Sequence, residues 1–323
     1  MRAMLLLAGA PLAGCALDAC AAEHYPSRPV RVIVPAAPGT GPDLVARPVA
    51  GRMADALKQS FVVENRPGVS GAVAVHQVDG KQADGHTLLL GETTHLVGLA
   101  APAAPVAYAA AYDLVPVAKL AELPHALFVH PSLPVNNLRE LVALARARPR
   151  AITYAGAEPG SFTDAVAEAL NASAGIRMAR VPPATHAMQA VDGVLSGHAM
   201  VGFGALHPRL QQVRRKRLRA MAVGSLRRVD AAPSVPTFAE AGLGEFRASQ
   251  WFGLFAPAGT PSAVVAKLEA AAHAAIDSRE VRHLLQRAGL EPGRMPRERF
   301  GHLVRDDIAR FQRIVREAGA VTP

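Results

Sequence analysis

The run from Val32 to Gly51, VIVPAAPGTGPDLVARPVAG, begins as a β-branched strand and ends as a helix. The loop between them holds Pro35, Pro38, Gly39, Gly41 and Pro42, residues that suit neither a sheet nor a core. Val45, Val49, Met53 and Leu57 then recur every four residues, which is the period of one buried helix face. Pro48 lies inside that pattern and is expected to kink the helix, because its ring removes one backbone donor. A strand that turns straight into a helix is the first half of a βαβ unit. It commits the chain to a parallel sheet covered by helices. The pattern continues with a strand over 61–64, a turn at 65–68, a helix over 69–77 and a strand over 87–91.

A second series of the same kind follows. A strand begins at Ala126, and Asn137 caps a helix whose Glu140 sits at the reciprocal capping position, with Leu138, Leu141, Val142 and Ala145 facing inward. A strand over 152–155 leads through the glycine-proline loop 156–161 into a helix ending near Leu170. Strands over 199–203 and 218–223 come next. The C-terminal part is helical: Thr260 is read as an N-cap with Pro261 at the first helical position. Phe300, Leu303, Val304, Ile308, Phe311 and Val315 share one face of a last helix that stops at Gly319. At 323 residues the chain exceeds one ordinary core, so two α/β units are expected.

Net charge is +9, and aromatic residues make up only 5%. The dense basic run Arg214-Arg215-Lys216-Arg217 carries no interleaved aromatics, so it reads as a solvated helix end and not as a nucleic-acid surface. The first 22 residues resemble an export signal: Arg2 opens a short apolar run that Pro11 interrupts, too short to span a membrane. Residues 96–111 are apolar but cut by Pro102 and Pro105, and read as surface-wrapping structure. Both cysteines, Cys15 and Cys20, lie in the leader. Cleavage after Ala21 or Ala22 leaves no thiol for disulfides, metal sites or nucleophilic attack. Leu12-Ala-Gly-Cys15 offers a rival processing site, with a lipid anchor on Cys15.

At the carboxyl ends of parallel strands, helix N-termini present unpaired amides, and glycines let them approach an anion closely. The 35–43 loop fits that role, with Asp43 expected to cap its helix from outside, since a carboxylate aimed at an anion site repels the ligand. Loops at 68–71, 91–95 and 156–163 bring further glycines and hydroxyls to similar places. Catalytic patterns fail: Gly39-Thr-Gly41 lacks the third glycine of a dinucleotide fingerprint, and Gly68-Val-Ser70-Gly-Ala72 misses a nucleophile elbow at its last position. The histidines are scattered; His76 and His86 are the pair that could meet in space. No cofactor or metal is implied. A hydrolase using Ser70 or His95 is the enzyme alternative.

Seven stretches, taken in order, make the chain resemble the substrate-binding proteins of tripartite tricarboxylate transporters, the Bug receptors. They are Tyr25-Pro-Ser-Arg-Pro-Val30, Val34-Pro-Ala-Ala-Pro-Gly-Thr-Gly-Pro-Asp43, Val63-Glu-Asn-Arg-Pro-Gly68, Asp84-Gly-His-Thr-Leu-Leu89, Val129-His-Pro-Ser132, Pro233-Ser-Val-Pro-Thr237 and Trp251-Phe-Gly-Leu-Phe-Ala-Pro-Ala-Gly-Thr-Pro261. The resemblance implies a type II periplasmic-binding-protein-like α/β fold, two α/β lobes with a ligand cleft between them. Residues 23–124 and 249–323 form lobe 1 and residues 125–248 form lobe 2, after a signal peptide over 1–22. It implies a periplasmic monomer that binds a small organic acid and passes it to membrane permease subunits, with no nucleic acid involved; a signalling kinase is the alternative partner. The ligand residues it implies are Gly39, Thr40, Gly41 and Asp43; Ser70 and Gly71; Thr93 and Thr94; Gly160, Ser161 and Thr163. Thr185 and Gly204 stand where relatives carry Tyr-Lys-Gly and Phe-Asp or Phe-Asn. Pro48 and Glu92 also depart from the family pattern.

Overall fold

The computed structural model describes residues 24–68, 72–78, 82–93, 114–156, 162–181, 187–244 and 246–319. The leader and its cysteines, and the apolar stretch 96–111, lie outside them. One mixed sheet organises the molecule, in the order β2-β1-β3-β9-β4-β7-β5-β6, with β8 and β10 also paired to β4. The first group of strands is β1 (Val30–Val34), β2 (Phe61–Asn65) and β3 (Thr87–Glu92). They run parallel. The second group is β5 (Thr153–Ala155), β6 (Ala179–Val181) and β7 (Val201–Ala205), again parallel to one another.

Two long strands join the groups. β4 (Leu114–Val129) extends through 16 residues, and β9 (Ser249–Pro257) pairs antiparallel to both β3 and β4. The sequence placed the start of this strand only at Ala126, because Pro116 and Pro124 look like breakers. The register shifts between Pro116 and Ala118, and Pro124 stands opposite Ser249 at the end of the pairing. A proline at a bulge or ladder end needs no backbone donor, so neither residue stops the strand. β8 (Arg219–Val223) and the two-residue β10 (Glu291–Pro292) complete the sheet from β4's other edges.

Helices cover both faces. α1 (Gly41–Leu57) buries Val45, Val49 and Met53 as the four-residue spacing predicts, and continues through Pro48 without ending. It ends at Lys58, which adopts φ 55°. α2 (Ala72–Val78) covers the described part of the helix expected over 69–77. In α3 (Leu138–Ala147) Asn137 Oδ1 accepts the Glu140 amide at 3.0 Å, the expected cap, while the Glu140 carboxylate accepts the Asn136 amide at 2.7 Å, one residue before the donor of a reciprocal cap. α4 (Phe162–Ala174) and α5 (Ala187–Leu195) flank the second group. α6 (Leu210–Arg214) is followed by the basic run, whose residues 214–217 are all exposed, as expected of a solvated end. α7 (Ser262–Asp277), α8 (Arg279–Arg287) and α9 (Arg297–Gly319) close the chain. α7 starts one residue later than the sequence suggested, with Pro261 itself at the cap.

Three buried apolar clusters follow from this arrangement. One lies between α1, α7 and the first group, built on Val32, Val45, Leu88, Leu254 and Leu268. Another lies under α5 in the second group, around Ala126, Val191 and Val194. The third runs through both groups, from Ile33 and Leu89 to Tyr154 and Phe203, and includes Trp251, Phe255 and Phe300. Among the described residues no helix is long and apolar enough to cross a membrane.

Candidate functional site

Strand direction determines where a site can lie. β1 to β3 run in the same direction as β4, and β5 to β7 run against it. β4 passes from the first group to the second, so both sets of carboxyl ends turn toward the same level of the sheet. The end of β3, Glu92, is in register with Phe252 and thereby with Ala121 of β4. The end of β7, Ala205, is in register with His125. Those levels are four residues apart, about 13 Å at the usual strand rise. That span suits a small organic molecule, and carboxyl ends are where open α/β sheets bind ligands.

The segments around His125 and Ala248 pair at this level. The His125 amide donates to the Ala248 carbonyl at 2.9 Å, and Gly224 donates to the His125 carbonyl at 2.8 Å. The His125 ring stands 4.9 Å from the ring of Phe162, the first residue of α4. Burial pushes the imidazole down to about 4, against a smaller upward contribution from the Leu123 carbonyl. On the other side of the level, Thr93 is fully buried, and its hydroxyl oxygen accepts the Trp251 amide at 2.8 Å.

The 35–43 loop is tied down from within. Asp43 is only 3% exposed, which corrects the expectation that it caps the helix from outside. Its carboxylate accepts the Gly39 amide at 2.9 Å, Arg47 Nε at 2.9 Å and Asn65 Nδ2 at 2.9 Å. Burial works against ionisation, but these donors win and hold the carboxyl below its ordinary range. The Gly39 amide is therefore taken up by Asp43, and the Thr40 amide turns to the Ala37 carbonyl at 3.3 Å. Helix geometry leaves the Gly41 and Asp43 amides without intrahelical acceptors, while Pro42 has none to offer. Gly39 has φ +80°, a conformation that asks for glycine. Gly41 faces the Phe252 ring, 3.5 Å from where a Cβ would stand, so the α1 N-terminus lies beside the end of β3.

In the second group Thr163 is 2% exposed in the first turn of α4. A Cβ on Gly204 would stand 2.4 Å from Val191 Cγ2, so this glycine admits α5 against β7. The structure thus brings Gly39, Thr40, Gly41, Asp43, Thr93 and Thr163 to the carboxyl-end level, while the missing Gly204 side chain answers to helix packing. Ser70, Gly71, Thr94, Gly160, Ser161 and Thr185 lie outside the described residues, as does His95. Of the histidine pair, His76 is exposed on α2, whereas His86 is buried and its Nε2 accepts the Ser27 amide at 3.2 Å.

Sequence reasoning missed the ion pair of Arg180 with Asp164, Nη2 to Oδ1 at 2.8 Å. Both side chains cover Gly156, where a Cβ would lie 2.6 Å from Arg180 Nε and 2.6 Å from Asp164 Oδ1. Gly156 directly follows β5, whose last residue Ala155 is in register with Gly202 and thereby with Phe128 of β4, so the guanidinium stands at the carboxyl end of β5, three residues along β4 from the His125 level. Nearby, the buried Tyr154 hydroxyl donates to Glu168 Oε1, and burial followed by Glu168 pushes the phenol upward. A lone arginine in a short strand gives no motif, so only the loop glycine hinted at it.

Comparison with known proteins follows from this geometry. Residues 45–320 match the model of the tripartite tricarboxylate transporter family receptor. Protein BugT of Bordetella pertussis is 32% identical over 300 residues, covering 93% of this chain and 92% of that one. A TctC solute-binding protein from Polaromonas, solved without ligand, is 27% identical with a TM-score of 0.83 over 91% of this chain and 99% of its own. MatC from Rhodopseudomonas palustris with bound malate is 32% identical with a TM-score of 0.67, covering 90% and 100%.

Proposed function

This chain belongs to the tripartite tricarboxylate transporter receptor family, and we propose that it captures a small organic carboxylate in the periplasm and delivers it to a membrane permease. The observation that carries this reading is the convergence of the carboxyl ends of β1–β3 and β5–β7 on the level of Pro124–His125 and Ala248–Ser249. The proposed lobes divide there: residues 23–124 with 249–323, and residues 125–248. Their only covalent links at this level are the two strands that cross it. Rotation about those crossings brings the loops of the lobes together, and a ligand that touches both stabilises the closed arrangement.

Two further points support the reading. MatC, 32% identical to this chain, is solved with bound malate, a small carboxylate. The amides of Gly41 and Asp43 supply partial positive charge for a carboxylate at the first lobe.

The test is isothermal calorimetry and thermal unfolding of the chain from residue 23 onward, against a panel of mono-, di- and tricarboxylic acids. A ligand at 100 times its dissociation constant stabilises the folded state by about 2.7 kcal/mol, a readily measured rise in melting temperature. Loss of the heat signal when the acid is replaced by its diamide or ester assigns recognition to the carboxylate. A panel in which no acid binds rejects the proposal.

A further inference from the structure

We infer that the end of the second group remote from the site docks on an anionic phospholipid surface. β4 ends at Val129, in register with Val201 at the start of β7 and with Arg219 at the start of β8. Val201 is level with Tyr154 of β5 and thereby with Arg180 of β6. The segments that leave β4 and enter β5 to β8, residues 130–151, 174–178, 196–200 and 214–219, therefore gather at one pole. Hydrogen bonds fix it: the His130 amide donates to the Met200 carbonyl at 2.9 Å, and the Arg150 amide to the Arg177 carbonyl at 2.6 Å. Arg146 Nε donates to the Ala174 carbonyl at 3.0 Å, and Arg219 Nη2 to the Leu133 carbonyl at 2.6 Å. The pole lies four residues along β4 from the His125 level, about 13 Å, on the side opposite the carboxyl ends of β5–β7.

These segments hold ten of the 35 lysines and arginines and one of the 26 acidic residues, so they carry +9, the net charge of the whole chain. The one acid, Glu140, is taken up by the Asn136 amide and the Asn137 side chain at 2.7 Å each. Arg148, Arg150, Arg177 and the run 214–217 are all exposed. The order β8-β4-β7-β5-β6 spreads them over four interstrand spacings, about 19 Å, so they form an area and not a point charge. The segments contain no Phe, Tyr or Trp. The exposed large apolar residues of the described chain, Leu226 and Leu284 among them, lie outside these segments. A protein partner is usually seated on an apolar core with aromatic anchors, and a single strand of nucleic acid on stacked aromatics. A phospholipid surface needs charge alone: each Lys or Arg brought near anionic headgroups strengthens binding about fivefold. The inference rests on the receptor reading for its location only, because a protein that serves a membrane permease works beside such a surface.

The test is co-sedimentation of the chain from residue 23 onward with vesicles of phosphatidylcholine alone or mixed with phosphatidylglycerol, at low and high sodium chloride. Wild type is expected to bind the anionic vesicles, to ignore the neutral ones and to be released by salt. The triple variant Arg148→Gln/Arg150→Gln/Arg177→Gln should bind at least about tenfold more weakly, and glutamine at all four positions 214–217 should cost at least as much. The control is Arg279→Gln/Arg282→Gln/Arg287→Gln on α8, three exposed arginines of the first lobe. It removes the same charge and should stay within about threefold of wild type, since screening confines the attraction to nearby charges. A control that weakens as much as the pole triple shows that net charge alone acts, and overturns the inference. So does equal binding to neutral vesicles, or none to either. A wild type that passes over the vesicles but binds polyglutamate would place an acidic protein segment at the pole instead. Calorimetry with organic acids is unaffected by any of these failures, so the receptor reading is judged separately. If the variant at 214–217 does not fold, as judged by its melting transition, the Arg148/Arg150/Arg177 triple decides.

Discussion

The indole Nε1–H of Trp251 donates to Asp307 Oδ2 at 2.9 Å, which fastens the crossing strand β9 to the C-terminal helix α9. Arg310, one turn further on, pairs with Asp307 at 3.0 Å and donates to the Arg247 carbonyl, two residues before β9 starts. Burial raises the Asp307 carboxyl above its ordinary range, even with Arg310 and Trp251 pulling it down. Such a group depends on every donor it has. Trp251→Phe keeps most of the ring contact with Phe255 and Phe300 and removes only the donor. It is expected to cost about 1–3 kcal/mol in urea unfolding, the range for a buried acceptor left short of a partner.

Gly204 and Val191 provide a packing test. Gly204→Ala places a methyl 2.4 Å from Val191 Cγ2, and α5 must shift or strain. The expected loss is about 1–3 kcal/mol. Val191→Ala alone opens a cavity under α5 and destabilises as well. In the double variant the new methyl fills part of that space, so the two losses should fall short of additive by at least 0.5 kcal/mol, roughly the smallest coupling seen between contacting residues. Additive losses would show that the contact is relieved elsewhere.

The contrast between what the sequence conveyed and what it concealed is visible in single residues. β1 forms where the sequence carries a β-branched run because that alternation is a local signal, and the Asn137–Glu140 cap is legible because both partners lie within one turn. Pro116 and Pro124 concealed the long crossing strand, since tolerance of a proline depends on which ladder position it occupies, and that is set by the partner strand β9. Asp43 was placed on the wrong side of its loop for a similar reason. Its partners Arg47 and Asn65 are 4 and 22 residues away, and only the pairing of β1 with β2 brings Asn65 beside it. The Arg180–Asp164 pair needs the register of β5 with β6 before it can be seen at all.

Glu64 gives a prediction at acid pH. Hydrogen bonds from Arg31 at 2.6 and 2.8 Å, opposed by burial and aided by Arg66, hold its carboxyl down to about 2. A carboxyl whose folded value is depressed adds stability above its ordinary range and loses it as pH falls through the folded value. The loss from Glu64 therefore falls between about pH 4.5 and 2. The Arg31 side chain is 36% exposed, so screening reduces the contribution to about 1 kcal/mol. Glu64→Gln should lower stability at pH 7 by roughly that amount and remove this part of the acid dependence. Parallel stability curves for the two proteins from pH 5 to 2.5 would refute it.

His125 acts in a different window, with the same sign. Desolvation at the crossing pushes its imidazole down to about 4 from 6.5, so the folded chain keeps the ring neutral where the unfolded chain protonates it. Stability from this group is complete above pH 6.5 and drains away as pH falls toward 4. The full difference amounts to about 3 kcal/mol, because each tenfold change in proton affinity corresponds to about 1.4 kcal/mol. The ring packs on Phe162 and its backbone joins the two strands that cross between the strand groups, so protonation there loosens the crossing before it unfolds either group. Two measurements check this. The His125 ring-proton resonance should hold its neutral position down to about pH 5 and titrate below it, whereas a solvated imidazole titrates near about 6.5. In urea unfolding at pH 7 and pH 5, His125→Gln should lose less stability on acidification than wild type. A His125 resonance that titrates like a solvated imidazole would place the ring in contact with water and end the argument.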